Sequence, residues 1–227
     1  MDIFFKVILA LHIGGGSVAL GSGALAMTLR KTASTQGLTQ QGLTHVRVGR
    51  IYFWAMTAVA ASAVVMCFLK PQQFLFYVAI FSYYLTFTGY RSIARKRAKI
   101  VVARVDWFAA VIGLAGGATM LVRGGMQTIG GESFGFVSVV FGGLCVGFSV
   151  LDMVRFSRPP AEKMAWWFNH LQRMLGAYIA TFTAFLVVNA TMLPQLVVWL
   201  APTIVGTLGI SAWTVYYKRK FRPSNIA

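Results

Sequence analysis

Residues 3–29 read IFFKVILALHIGGGSVALGSGALAMTL, and Arg30-Lys31 follow at once. An α-helix rises about 1.5 Å per residue, so about 20 apolar residues cross the hydrocarbon core of a bilayer. This stretch is longer than that and interrupts its apolar run with only one cation, Lys6, and one imidazole, His12. Its hydrophobicity is continuous rather than alternating, which selects a helix over a lipid-facing strand. Ala24-Leu25-Ala26 imitates the cleavage site of a secretory leader. The apolar run is, however, about twice the length of a leader core, and Arg30-Lys31 anchor its end.

Six more stretches repeat the pattern, at 49–69, 74–90, 107–122, 136–154, 164–192 and 196–217. Together they predict an all-α integral membrane bundle, seven transmembrane helices in one domain over 1–227. Composition agrees. Of 227 residues, 57% are hydrophobic and only 11% charged, with a mean hydropathy of +0.69. A soluble domain carries about 25% charged residues, so this chain cannot dress a globule for water. The net charge of +16 raises nucleic acid as a partner, but no stretch could fold into the basic aqueous face that such a partner needs.

The excess charge reads instead as orientation. Arg30, Lys31, Arg47 and Arg50 flank the first connection, and Arg91, Arg95, Lys96, Arg97, Lys99 and Arg104 fill the third. Arg155, Arg158, Lys163 and Arg173 flank the fifth, and Lys218, Arg219, Lys220 and Arg222 form the tail. Only Lys6, Lys70 and Arg123 remain for the other side. By the positive-inside rule the N-terminus is outside and the C-terminus on the cytoplasmic side. A bilayer including anionic lipids is the expected partner, although topology alone accounts for the basic stretch 91–104.

Small residues one turn apart predict close helix packing: Gly15, Ala19 and Gly23 on the first helix, Gly113 and Gly117 on the fourth, Gly143 and Gly147 on the fifth. Residues 32–44 and 124–133 read as short loops. Cys67 and Cys145 fall at different depths, which argues against a disulfide.

Ionisable or ligating side chains inside a membrane are functional candidates by default. His12 shares a helical face with Gly16, Ala19 and Gly23 and is expected to point into the bundle. His45 is expected to open the second helix behind Thr44 as N-cap, and His170 lies in the first turns of the sixth. Each is followed by an Arg with a Tyr five residues beyond, Arg47/Tyr52 and Arg173/Tyr178. Tyr83, Tyr84, Thr86, Thr88 and Tyr90 end the third helix on the same side, near Asp106 and Asp152.

Two imidazoles on separate helices can ligate one haem b, with Arg and Tyr holding its propionates, or can hydrogen-bond a quinone. Two histidines make an incomplete zinc site. The blander reading has Arg and His snorkelling to headgroups beside a Trp166-Trp167 belt. No G-x-S-x-G occurs, and the acids Asp2, Asp106, Glu132, Asp152 and Glu162 lie at span ends, which argues against a carboxylate-driven pump. The leading expectation is a redox component binding one haem b or a quinone between helices two and six, with a membrane redox partner. Its site would comprise His45, His170, Arg47, Arg50, Arg173, Tyr52 and Tyr178. The alternatives are a small-solute carrier or channel lined by His12, and a receptor or scaffold without ligand chemistry.

His12 in a Gly/Ala-rich first helix, His45-x-x-x-Gly49-Arg50-Ile51-Tyr52, and Asn169-His170-Leu171-Gln172-Arg173-Met174 together resemble a family of bacterial predicted multi-pass membrane proteins of unknown function. The resemblance implies an inner-membrane protein of many helices and no particular activity. Val46 departs from it, standing where the pattern has an Arg. A looser likeness to di-haem b cytochromes is analogy only. Those need two histidine pairs, and three histidines cannot supply them.

Overall fold

The computed structural model describes residues 3–29, 33–34, 37–38, 40–95, 102–160, 162 and 164–220. Of the basic residues that carry the orientation reading, Arg30, Lys31, Lys96, Arg97, Lys99, Lys163 and Arg222 lie outside the described residues.

Seven helices follow one another: α1 (Ile3–Thr28), α2 (Gln40–Leu69), α3 (Gln73–Ala94), α4 (Arg104–Ile129), α5 (Gly135–Ser157), α6 (Ala165–Asn189) and α7 (Gln195–Lys220). A two-residue antiparallel ladder, β1 (Ala33–Ser34) with β2 (Gly37–Leu38), joins α1 to α2. Six of the helices, all but α3, are long and apolar enough to cross a bilayer. The chain is a multi-pass membrane protein.

Helix α3 falls short because of where it sits. It packs against α2, α4, α5 and α6 and buries Phe81, Tyr84, Leu85, Thr86, Thr88, Gly89 and Ser92. A helix surrounded by protein does not need a lipid-compatible surface. Its hydroxyls are absorbed locally: Ser82, Thr86, Thr88 and Ser92 donate to the carbonyls of Val78, Ser82, Tyr84 and Thr88, four residues back. Such back-bonding lets Ser and Thr enter an apolar core without an orphaned donor.

Several helices outrun their apolar stretches. Helix α2 begins at Gln40 rather than near 49, so Thr44 is not its cap. Thr44 lies within the helix and donates its Oγ1–H to the Gln40 carbonyl at 2.9 Å. Helix α4 runs on to Ile129, which leaves a short turn where a loop from 124 was expected. Gly131, at φ +85°, takes the left-handed conformation in that turn.

Glycines set the closest approaches. A Cβ at Gly142 on α5 would lie 2.6 Å from the Leu121 amide nitrogen and 2.8 Å from the Gly117 carbonyl oxygen. One at Gly124 on α4 would lie 2.8 Å from the Gly135 carbonyl oxygen. The fourth-helix expectation therefore holds at Gly117 and at Gly113, where a Cβ would lie 2.6 Å from Ser149 Oγ on α5. On α5, Gly143 and Gly147 face open space, and Gly142 and Gly135 make the contact instead. The register is one residue off because the α4 groove selects a single face of α5. Helix α1 meets α2 at Gly15, where a Cβ would lie 3.2 Å from Val59 Cγ2. The apolar core gathers Ala19, Tyr52, Met56, Phe81, Leu85, Phe141, Ala177 and Trp199 from six helices.

A candidate ligand cavity at the basic end

Neighbouring helices run antiparallel, so α1 and α2, α3 and α4, and α5 and α6 meet at a common end. There His45 reaches Ala26, Arg91 reaches Asp106, and Arg155 reaches Asn169. Among the described residues this end carries Arg47, Arg50, Arg91, Arg95, Arg104, Arg155, Arg158, Arg173, Lys218, Arg219 and Lys220. Lys6, Lys70 and Arg123 lie toward the other.

A partly open cavity of about 1040 Å³ lies at the basic end, walled by the ends of α1, α2, α3, α6 and α7. Its size is at the upper limit of ordinary small-molecule sites, about 300–1,000 Å³. The wall is mostly apolar and aromatic, with Met27, Tyr90, Trp167, Met174, Leu175, Trp213 and Tyr217. His45, His170, Arg50, Tyr52 and Tyr178 line it as well. Five residues singled out from sequence thus share one wall.

Arg47 and Arg173 are not on that wall. Arg47 is exposed. Arg173, at 1% exposure, turns into the core and pairs with the fully buried Asp152, Nη2 to Oδ1 at 2.9 Å. Tyr84 donates its hydroxyl to the other carboxylate oxygen at 2.6 Å, and the Arg173 guanidinium sits 4.2 Å from the Phe148 ring centroid. This triad locks α3, α5 and α6 together.

Both cavity histidines are aimed by backbone. His45 donates from Nδ1 to the Ala26 carbonyl on α1 at 3.0 Å, and His170 donates from Nδ1 to the Gly89 carbonyl on α3 at 2.9 Å. A carbonyl can only accept, so each Nδ1 carries the proton, and a neutral ring then carries its lone pair on Nε2. Gly89 makes the second contact accessible. A Cβ there would lie 3.0 Å from Arg173 Cβ and 2.9 Å from Met174 Sδ, so α6 approaches α3 this closely only at glycine. Gly23 of α1, also in the lining, admits the Tyr178 and Tyr52 rings, which a Cβ would meet at 2.5 and 3.1 Å.

His12 stands apart, toward the other end. Its Nδ1–H is shared between the Val59 carbonyl at 3.1 Å and Ser62 Oγ at 3.0 Å, both on α2. Ser62 is able to accept because its own hydroxyl donates to the Ala58 carbonyl. His12 therefore pins α1 to α2, in the direction its helical face predicted.

Two further anchors hold the basic end. Asp106 receives both Nε and Nη2 of Arg91, at 2.9 and 2.8 Å, together with Arg95 at 3.1 Å and the Ala103 amide at 2.9 Å. Asn169 accepts from Arg155 at 2.8 Å and donates to Ser92 Oγ at 2.7 Å. Sequence reasoning placed Asp106 and Asp152 near this end but assigned neither a partner. Two acids among so many cations were the available signal. Among the described residues no group of three or more His, Cys, Asp and Glu side chains is placed to hold a metal ion, and Cys67 and Cys145 are free thiols. No family model, curated protein or solved structure matches the chain.

Proposed function

We propose that this protein is a redox component of the bacterial cytoplasmic membrane that binds one haem b or a quinone in the cavity at its basic end. In this reading α3 is the seventh crossing, the N-terminus is outside, the C-terminus is inside, and the cavity faces the cytoplasm. The basic residues gathered at that end support the orientation. Membership of the bacterial membrane-protein family that the His45 and His170 motifs resemble belongs to the same proposal.

The observation that carries the reading is that His45 and His170 both line the cavity, each donating from Nδ1 to a backbone carbonyl. Histidines that ligate metals characteristically donate their second ring nitrogen in this way, which fixes the tautomer and the ring orientation. The residues fit the proposed group. The cavity has the volume, its wall is apolar and aromatic, and Arg50 and Lys220 stand among the lining side chains. His45 and His170 would hold the iron of a haem or the carbonyl oxygens of a quinone, with Tyr52 and Tyr178 packing against its face. A haem bound there supplies one-electron chemistry. The chain's part is to orient the group and keep water from its apolar body.

Purified protein expressed with sufficient haem is expected to show a Soret band that His45→Ala and His170→Ala each diminish and His12→Ala leaves intact. If haem is absent, organic extraction is expected to recover a quinone in stoichiometric amount, lost in the same two variants. Protein free of both groups, or equal retention in all three variants, would sink the proposal. Carrier and scaffold readings predict that null result.

A further inference from the structure

Charge at the cavity discriminates between occupants. Arg50, Arg91 and Lys220 line it, and among the described residues no Asp or Glu does. Arg91 is paired with Asp106, which it shares with Arg95. Arg50 and Lys220 are exposed and form no ion pair among the described residues. Among the described residues no acid is placed to serve them. Of the chain's five, Asp106 holds Arg91 and Arg95, Asp152 is sealed around Arg173, and Glu132 lies at the opposite end bonded to Gln127. Asp2 lies outside the described residues, and Glu162 lies in the α5–α6 connection, outside the cavity wall.

Two uncompensated cations at the rim of an apolar chamber specify a counter-ion with an apolar body. We infer that the occupant is an anionic amphiphile whose carboxylate or phosphate is bound by Arg50 and Lys220 at the rim, its apolar part lying among Trp167, Trp213 and Met174. This rests on the cavity being a ligand site. Within the reading above it selects haem b, which carries two carboxylates, over an uncharged quinone. A guanidinium–carboxylate contact is charge-assisted and directional, so neutralising either partner removes affinity rather than fit.

The experiment uses the purified full chain in detergent and reads quenching of its tryptophan fluorescence, since Trp167 and Trp213 line the cavity. The probes are haem and its dimethyl ester, and a brominated fatty acid and its methyl ester. In at least one pair the acid is expected to bind about tenfold or more tightly than the ester. Combined Arg50→Gln and Lys220→Gln should abolish that margin. The charge-keeping Arg50→Lys with Lys220→Arg should retain much of it, and Arg158→Gln, exposed at the same end, should leave it whole.

Equal binding of acid and ester, or a margin untouched by the double Gln variant, overturns the inference while leaving His-dependent haem or quinone binding standing. A margin seen with the fatty acid alone upholds the anion and removes the haem. Quenching by none of the four probes overturns the inference, and the Soret and extraction measurements then judge the redox reading separately.

Discussion

Arg173 and Asp152 form an ion pair with almost no exposure in a protein built for lipid. Desolvating both charges is costly, and their attraction offsets that cost only when geometry is good and the remaining atoms are bonded. Here Tyr84 and the Phe148 carbonyl supply additional bonds, while Arg173 Nη1 is buried without a hydrogen-bond partner among the described residues. Removing one partner strands the other. Asp152→Asn is expected to destabilise the bundle by about 3–5 kcal/mol, seen as a lower melting temperature in detergent. The apolar double variant Asp152→Leu with Arg173→Met should cost much less. Equal damage from both would mean that the pair acts through packing, not charge. The pair also marks what local spacing hides. Arg173 reads from sequence as a companion of His170, three residues away on α6. Its actual partner is 21 positions back on α5, and no periodicity announces that contact. His45, His170, Tyr52 and Tyr178 were legible because the spans place them at comparable depth near the basic end, and all four line the cavity there. Lys220 was read only as orientation charge, since its place on the wall depends on α7 docking beside α6.

At the scale of elements, existence was legible and ends were not. A run of apolar residues announces a helix, but the polar first turns of α2 between Gln40 and Gly49 continue it beyond the hydrophobic signal. Small-residue spacing announced close packing on α5 without naming the face, because Gly142-Gly143 offers two registers. The structure makes them a matched pair for measurement. Gly142→Ala drives a methyl into the α4 backbone and is expected to cost about 1–3 kcal/mol, the usual penalty of overpacking. Gly143→Ala meets nothing within 4 Å and should be neutral or gain up to about 1 kcal/mol from helix propensity. Thermal melts in one detergent compare the two directly, and the reverse order would place α5 in the other register.

For the whole molecule, the seven-crossing reading makes a parity prediction. With α3 across the bilayer the two termini lie on opposite sides; with six crossings they share one. A fluorescent-protein fusion at the C-terminus is expected to be bright in the cytoplasm, and a protease-accessible tag at the N-terminus to be cut from outside intact cells. Both termini on one face would remove α3 from the membrane and return the cavity's orientation to question. The charge partition that motivates this prediction survives in the described residues, where only Lys6, Lys70 and Arg123 stand away from the basic end.

Helix α3 also bears on how such a chain is made. Its surface suits neighbouring helices better than acyl chains, so on the seven-crossing reading it gains little by entering lipid alone. The next helix synthesised is tied to it through Arg91 and Arg95 on Asp106 at the α3–α4 junction, and α6 packs on it most extensively of all. Those three charges meet at the polar edge of the bundle, where they need not be dragged through hydrocarbon unpaired. On that reading α2 precedes α3 into the membrane while α4 and α6 follow it, so the insertion machinery must hold a marginal segment until its later partners emerge.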